Sequence, residues 1–198
     1  MRYRSLTTTT KPLVEPVSLS EAKTHCRVDT STDDAYITSL ITAARQWVEE
    51  YVDRALIAQQ LTLRLDRFPY EFELPRPPMA TSGTLTSTTI TYTLETQATA
   101  TLDTATYRVD RNDTPGRIRT VYAGTWPGHL ADQNAVTVTW WAGYGPAATD
   151  VPQAIRHAIL MLVGHLYERR LASDNVGGAE VPFGVKALLD SQKWGSYA

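Results

Sequence analysis

The chain has 198 residues, 42% of them hydrophobic and 20% charged, which is typical of a soluble protein with one domain, or with one compact core and an elaboration. Its formal net charge of −2 argues against a dedicated nucleic-acid-binding protein, since such proteins usually carry a basic excess. The single cysteine, Cys26, excludes an intrachain disulfide and a cysteine-rich zinc site. We therefore expect a soluble protein made in the cytoplasm, without a membrane span.

The N-terminal third predicts a loose segment followed by helices. Residues 1–16 are polar, rich in threonine and interrupted by prolines, so we expect them to be extended and flexible unless a partner holds them. Ser18 lies three residues before a glutamate, which is the spacing of a capping box and predicts a short helix. Apolar residues then recur at three- and four-residue steps over residues 33–55, as in a long amphipathic helix. Its charged side, including Glu49 and Glu50, is predicted to face solvent.

The middle of the chain has the two-residue period of β-strands. Apolar and polar residues alternate over residues 61–65, 90–94 and 136–141, which predicts three strands. Residues 107–110 and 117–122 flank a run of turn formers and predict a β-hairpin. The segment between the two helical parts of the chain is therefore predicted to be rich in antiparallel β-structure.

The segment 151–171 is the long stretch that is apolar on nearly every side, so we expect it to form the central helix. Its apolar face should pack against the 33–55 helix by ridges into grooves. A short helix from residue 185 to about 191 should follow. The predicted core residues of the two long helices are Trp47, Tyr51, Ile155, Ile159, Leu162 and Leu166.

These elements predict an α+β fold. It comprises a small helical bundle, with two long helices and short N- and C-terminal helices, and an inserted antiparallel β-rich segment. The predicted division is a flexible segment at 1–16, a helical core at 17–56 and 143–191, an insertion at 57–142, and a C-terminal tail at 192–198.

The sequence offers no motif for catalysis. His157 and His165 are eight residues apart on one predicted helix, too far for the one-turn pairing of a helical metal site. We therefore predict no catalytic residue, no metal site and no cofactor. Two alternatives stay open, a small DNA-binding module and a small hydrolase. The first would need a basic helix face, whereas the 33–55 helix mixes arginines with carboxylates, and the second would need a cleft of titrating groups.

Several segments, taken in order, carry a resemblance to a known family. They are PVSLSEAKTHCRVD, DDAYITSLITAARQWVEEYVDRAL, LPRPPM, TYRVDRNDTPGRI, WPG, VTVTWWAGYGPAATDVPQAIRHAILMLVGHLYERR and the terminal VPFGVKALLDSQKWG. In this order the chain resembles the head–tail connector family, also called adaptor or head-completion proteins, of long-tailed phages, prophages and gene transfer agents. The threonine-rich run at 81–106 is a departure from that family.

The resemblance implies a structural protein that is not an enzyme. It implies a homo-oligomeric ring, commonly a dodecamer, with the portal protein above and a stopper or tail-terminator protein below, located at the head–tail junction of a virion or phage-like particle. DNA would pass through its channel without sequence-specific binding.

A ring subunit also needs contact surfaces, which we predict to include Trp126, Lys193, Trp194 and Tyr197. We expect the tail to dock on the portal through its aromatic residues. The alternative, with Trp194 folded back onto the subunit's own helices, stays open.

Overall fold

The computed structural model describes residues 5–81, 83–130, 132–169 and 181–193. The chain divides into two compact units. Unit 1 comprises residues 1–12 and 58–145, and unit 2 comprises residues 13–57 and 146–198. Over the described residues, unit 2 contains four α-helices and unit 1 contains two antiparallel sheets, which confirms the predicted α+β class. None of the helices in these ranges is long and apolar enough to cross a membrane.

The larger sheet of unit 1 has five strands. They are β1 (Ser5–Thr10), β2 (Gln59–Leu65), β4 (Thr88–Thr93), β5 (Thr99–Thr101) and β8 (Val136–Ala142), in the spatial order β1-β2-β8-β4-β5. Strand β8 alternates strictly between buried and half-buried residues, so its two-residue period places Val136, Val138 and Trp140 in the core. The three strands predicted from alternation are thus confirmed as β2, β4 and β8.

The smaller sheet of unit 1 has three strands. They are β3 (Glu71–Glu73), β6 (Tyr107–Asp110) and β7 (Arg117–Thr120), in the spatial order β3-β7-β6. Strands β6 and β7 pair antiparallel around the predicted turn, which confirms the hairpin. Phe72, Tyr107 and Ile118 are buried on one side of this sheet.

Part of the N-terminal segment forms a strand of the larger sheet, since β1 pairs antiparallel with β2, for example with Leu6 opposite Leu63. The Thr9 and Thr62 hydroxyls lie 2.5 Å apart across this pair. The prolines that suggested a loose segment come after the strand, and threonine has a high strand propensity. Its polar side chains gave no alternation, so the strand left no periodic signal in the sequence.

Unit 2 is built from α1 (Leu19–Cys26), α2 (Asp34–Val52), α3 (Gln153–Glu168) and α4 (Phe183–Asp190). Helix α3 packs against each of the other three, and α2 and α3 pack together as predicted. Among the predicted core residues, Ile155, Ile159 and Leu162 are at most 3% exposed, whereas Trp47, Tyr51 and Leu166 are half-buried.

Local hydrogen bonds explain where these helices begin and end. The Ser18 N–H donates to Glu21 at 2.8 Å and the Glu21 N–H donates to Ser18 Oγ at 3.2 Å, which confirms the capping box. Helix α2 ends at Val52 because Asp53 adopts a left-handed conformation, with φ of 52°. Helix α3 begins at Gln153 and ends at Glu168, so it is shorter than the predicted 151–171 segment.

Candidate assembly surfaces

The base of the C-terminal tail is bound to the end of α2. The Tyr51 hydroxyl donates to Asp190 Oδ1 at 2.7 Å, and this hydrogen bond raises the pKa of Tyr51. Arg54 Nε donates to the Gln192 carbonyl at 2.7 Å. Lys193 Nζ lies 5.0 Å from the centroid of the Tyr51 ring, a cation–π distance. These contacts place Asp190, Gln192 and Lys193 against the C-terminal end of α2.

This anchoring bears on the predicted partner residues of the tail. Lys193 makes an intramolecular contact with Tyr51, whose ring also stacks on Trp47 at 5.0 Å between centroids. Trp194 and Tyr197 lie outside the described residues. A role of these three tail residues in partner binding stays a prediction.

Trp126 belongs to an aromatic cluster within unit 1. Its ring stacks on Phe68 with centroids 4.7 Å apart, and its Nε1 donates to the Pro69 carbonyl at 2.6 Å. Tyr92 and His129 contact Phe68 through ring edges. Trp126 is half-buried by these neighbours, so only part of its surface is free for a partner. Its role as a partner contact stays a prediction.

Several other large apolar side chains are more exposed than Trp126, and four of them are at least 85% exposed. Tyr70 is 88% exposed and Tyr122 is fully exposed in unit 1, while Leu13 is 94% and Phe183 is 85% exposed in unit 2. Exposed aromatic side chains are typical of protein interfaces. Sequence reasoning missed these residues, because their exposure is known only from the structure.

A buried ion network corrects the prediction for Glu49. Arg45 Nε donates to Glu15 at 2.7 Å and its Nη1 donates to Glu49 at 2.8 Å. The Leu56 N–H donates to the second Glu49 oxygen at 3.0 Å. Burial disfavours the charged guanidinium, but hydrogen bonds to both carboxylates outweigh burial and raise the pKa of Arg45. Glu49 is only 8% exposed, so the prediction that it faces solvent is wrong, whereas Glu50 is exposed.

One surface depression contains several titratable side chains. It has a volume of about 520 Å³ and is lined by residues of α1 and α3 that include His25, Cys26, His165 and Glu168. Burial and the nearby Glu168 carboxylate raise the pKa of the Cys26 thiol, which disfavours the nucleophilic thiolate. No group of three or more histidine, cysteine or acidic residues suited to a metal ion occurs within the ranges that the structure describes.

Comparison with known proteins finds a family that part of this chain resembles. The family model for the phage gp6-like head–tail connector protein matches residues 16–112, which span α1, α2 and the strands from β2 to β6. This part of the chain is therefore similar to the connector family. No curated protein matches the chain at a significant level.

Solved structures extend this likeness to nearly the whole chain. A chain from the neck of an empty gene transfer agent particle, with C6 symmetry, is 25% identical, has a TM-score of 0.76, and matches over 96% of this chain and 95% of its own length. A chain from the virion of the native gene transfer agent particle is 24% identical and has a TM-score of 0.74. The match covers 95% of this chain and 94% of the virion chain. A chain from the neck of the native particle, computed with C12 symmetry, is 23% identical and has a TM-score of 0.74. The match covers 96% of this chain and 94% of the neck chain. The last two likenesses show a shared fold.

Proposed function

We propose that this protein is a structural subunit of a phage or phage-like particle that forms a ring at the head–tail junction. The observation that carries this proposal is the fold match to the neck of a gene transfer agent particle, which covers 96% of this chain at 25% identity. The family match at residues 16–112 supports the same role independently. The ring would extend the channel through which DNA enters and leaves the head.

The ring most consistent with the relatives has twelve copies. One related neck has C12 symmetry and another has C6 symmetry, and a twelve-fold ring contains both. In this arrangement the portal lies above the ring and a stopper or tail-terminator protein lies below it. The net charge of −2 supports non-specific passage, because a channel rich in cations would hold the DNA phosphates.

The proposed role requires no catalysis. Burial and the Glu168 carboxylate raise the pKa of the Cys26 thiol, which disfavours its use as a nucleophile. The two alternatives from the sequence, a DNA-binding module and a small hydrolase, gain no support from this arrangement.

The tail is proposed to attach the ring to the portal. Because Gln192 and Lys193 are fixed on α2, residues 194–198 would leave unit 2 from a defined point. Trp194 and Tyr197 are large aromatic anchors of the kind that dominate binding energies. The alternative, in which Trp194 packs back on unit 2, is tested below.

Locating the subunit in assembled particles tests the ring. An affinity label fused to the chain and imaged by electron microscopy should mark one axial position at one vertex, between head and tail. Label distributed over the head surface, or absent from purified particles, would contradict the proposal.

A further inference from the structure

The larger sheet of unit 1 has one apolar face and one polar face. The apolar face is buried and includes Leu61, Val138 and Ile90 on three neighbouring strands. Successive side chains of a strand point to opposite faces, so the residues between these apolar positions lie on the other face of the sheet. The strand register shows which of them are neighbours.

Two rows of mostly hydroxyl-bearing residues cross the polar face. One row runs over four adjacent strands and consists of Thr7, Thr62, Thr139 and Thr89. The next row runs over all five strands and consists of Ser5, Arg64, Thr137, Thr91 and Thr101. We call the surface formed by these two rows the threonine face. Adjacent strands lie about 4.8 Å apart, so the longer row extends over roughly 19 Å.

Part of the threonine face is available to a ligand. Thr62 is buried, and its Oγ1 lies 3.2 Å from the Thr139 hydroxyl, so these two side chains bond to each other. Thr89 and Thr101 are exposed, and Thr91 is half-buried. Within the described part of the chain, the hydroxyls of these last three residues make no hydrogen bond. They can therefore donate to an external acceptor.

The threonine face carries a cation and, among the residues of its two rows, no carboxylate. Arg64 is exposed and supplies one positive charge per subunit. The nearest acidic residues along these strands, Asp66 and Glu95, follow the ends of β2 and β4 and are not part of either row. The chain as a whole has 21 acidic and 19 basic residues, so the charge of this face is opposite in sign to that of the whole chain.

The smaller sheet differs from the threonine face in charge. Its face opposite the buried Phe72 carries the carboxylates of Glu71, Glu73 and Asp110. Carboxylates repel the phosphates of DNA, whereas an arginine attracts them. Of these two sheet faces, the threonine face is therefore the better surface for DNA.

The side chains of the threonine face also favour DNA over a protein partner. Hydroxyl and arginine side chains commonly contact phosphate oxygens, and such contacts carry no sequence information. Threonine is under-represented among the hot spots of protein interfaces, where tyrosine is enriched. The most exposed tyrosines of unit 1, Tyr70 and Tyr122, adjoin strands of the smaller sheet instead.

A surface of neutral hydroxyls suits DNA that has to move. Each cation that contacts a phosphate releases counterions and so strengthens binding, whereas a hydroxyl contact releases none. A face with many threonines and one arginine can therefore touch the DNA backbone without retaining it.

We propose that the threonine face lines the channel of the ring and contacts the phosphate backbone of the duplex DNA that passes through it. This inference rests on the proposed ring function. It adds the surface of the subunit that meets DNA and the chemistry of that contact.

Photocrosslinking in DNA-filled particles tests which molecule occupies this face. The change Thr89→p-benzoyl-phenylalanine, introduced into the full chain, should give after illumination a product of the chain with DNA, which nuclease digestion reduces to about the 22.0 kDa of the chain. The same change at exposed Thr104, outside both sheets, should give no such product. Crosslinks from position 89 to a second copy, to another protein or to nothing would overturn the inference, as would an equal DNA product from position 104.

Added cations test the chemistry of the contact. The double variant Thr89→Lys/Thr91→Lys should retain DNA in the channel and lower DNA transfer by tailed particles at least tenfold. The number of tailed particles and the melting temperature of the subunit should stay parental. The control Thr104→Lys/Thr125→Lys makes the same charge change at two exposed positions outside the strands and should keep the parental transfer.

A second variant applies if the first unfolds the subunit. Thr99→Lys/Thr101→Lys changes two exposed positions of the edge strand β5 and should give the same loss of transfer. Parental transfer from a folded lysine variant, or an equal loss in the control, would overturn the inference. A fall in the number of tailed particles would assign the face to assembly and would also overturn it. If a strain without any copy of the gene already makes tailed particles, the proposed function itself fails, whatever the variants do.

Discussion

Glu49 and Glu50 are sequence neighbours on α2 with opposite environments. Successive helix residues point about 100° apart, so Glu49 turns toward Arg45 and the Leu56 N–H while Glu50 turns to solvent. The sequence contains the Arg45–Glu49 spacing, but this four-residue step is also common in exposed pairs. The third member, Glu15, lies 30 positions before Arg45, so helical periodicity gives no indication of the network.

The change Glu49→Gln should lower the free energy of unfolding by about 1–3 kcal/mol, because it removes a buried charge from the Arg45 guanidinium. The matched control Glu50→Gln should change it by less than about 0.5 kcal/mol. Urea unfolding of both variants measures the difference. Equal effects would mean that Glu49 is exposed in solution.

Glu21 provides a pH-dependent prediction. Hydrogen bonds from Ser18, with a further contribution from Arg156, hold the pKa of Glu21 below its ordinary value of 4.5. A lowered pKa stabilises the folded state above about pH 4.5, and this stability is lost as the pH falls through the pKa of the folded state. Glutamine retains the capping hydrogen bond but carries no charge.

The parent should therefore be slightly more stable than Glu21→Gln at neutral pH, by under about 1 kcal/mol, since the side chain is partly exposed. The difference should shrink as the pH falls below 4.5. Thermal melting of both proteins between pH 7 and about pH 3 checks the trend. A difference that is constant over this range would exclude the Glu21 charge as its source.

Helix α3 has the central position among the helices of unit 2, and Leu162 on it is 3% exposed. The change Leu162→Ala should leave a cavity and lower the free energy of unfolding by about 2–5 kcal/mol. His157→Ala, at an exposed position of the same helix, is the control. If both variants melt within a degree or two of the parent, α3 is not the centre of the fold.

The sequence predicted those helices and strands that have one apolar face. It did not predict strand β1, which has no apolar face. The two-residue alternation in β8 and the three- and four-residue spacing of apolar residues in α2 and α3 both result from burial of one face. These patterns therefore predicted the type and the approximate position of each element. Strand β1 is held mainly by its pairing with β2, so it could be identified only from the structure.

For the whole molecule, the role of the tail can be separated from its anchoring. Deleting residues 194–198 leaves the contacts of Gln192 and Lys193 with α2 in place. If the tail docks on the portal, this deletion should keep near-parental melting but should prevent the subunit from joining heads. Deleting residues 192–198 also removes the anchor and should cost additional stability. A marked fall in melting temperature on deleting 194–198 would instead favour Trp194 folded onto unit 2.

The assembly role could be predicted from the sequence only through resemblance. The order of segments from PVSLSEAKTHCRVD to the terminal VPFGVKALLDSQKWG indicated a head–tail connector, whereas the individual residues carried no chemistry specific to that role. A ring contact depends on how two copies meet, and residues such as Tyr70 and Tyr122 become candidates only once their exposure is known.

The central claim is that this protein joins head to tail, and imaging particles from a strain that lacks this gene tests it most directly. The account predicts heads without tails, restored to tailed particles by the parental gene supplied separately. Tailed particles at the parental frequency in the absence of the gene would contradict it.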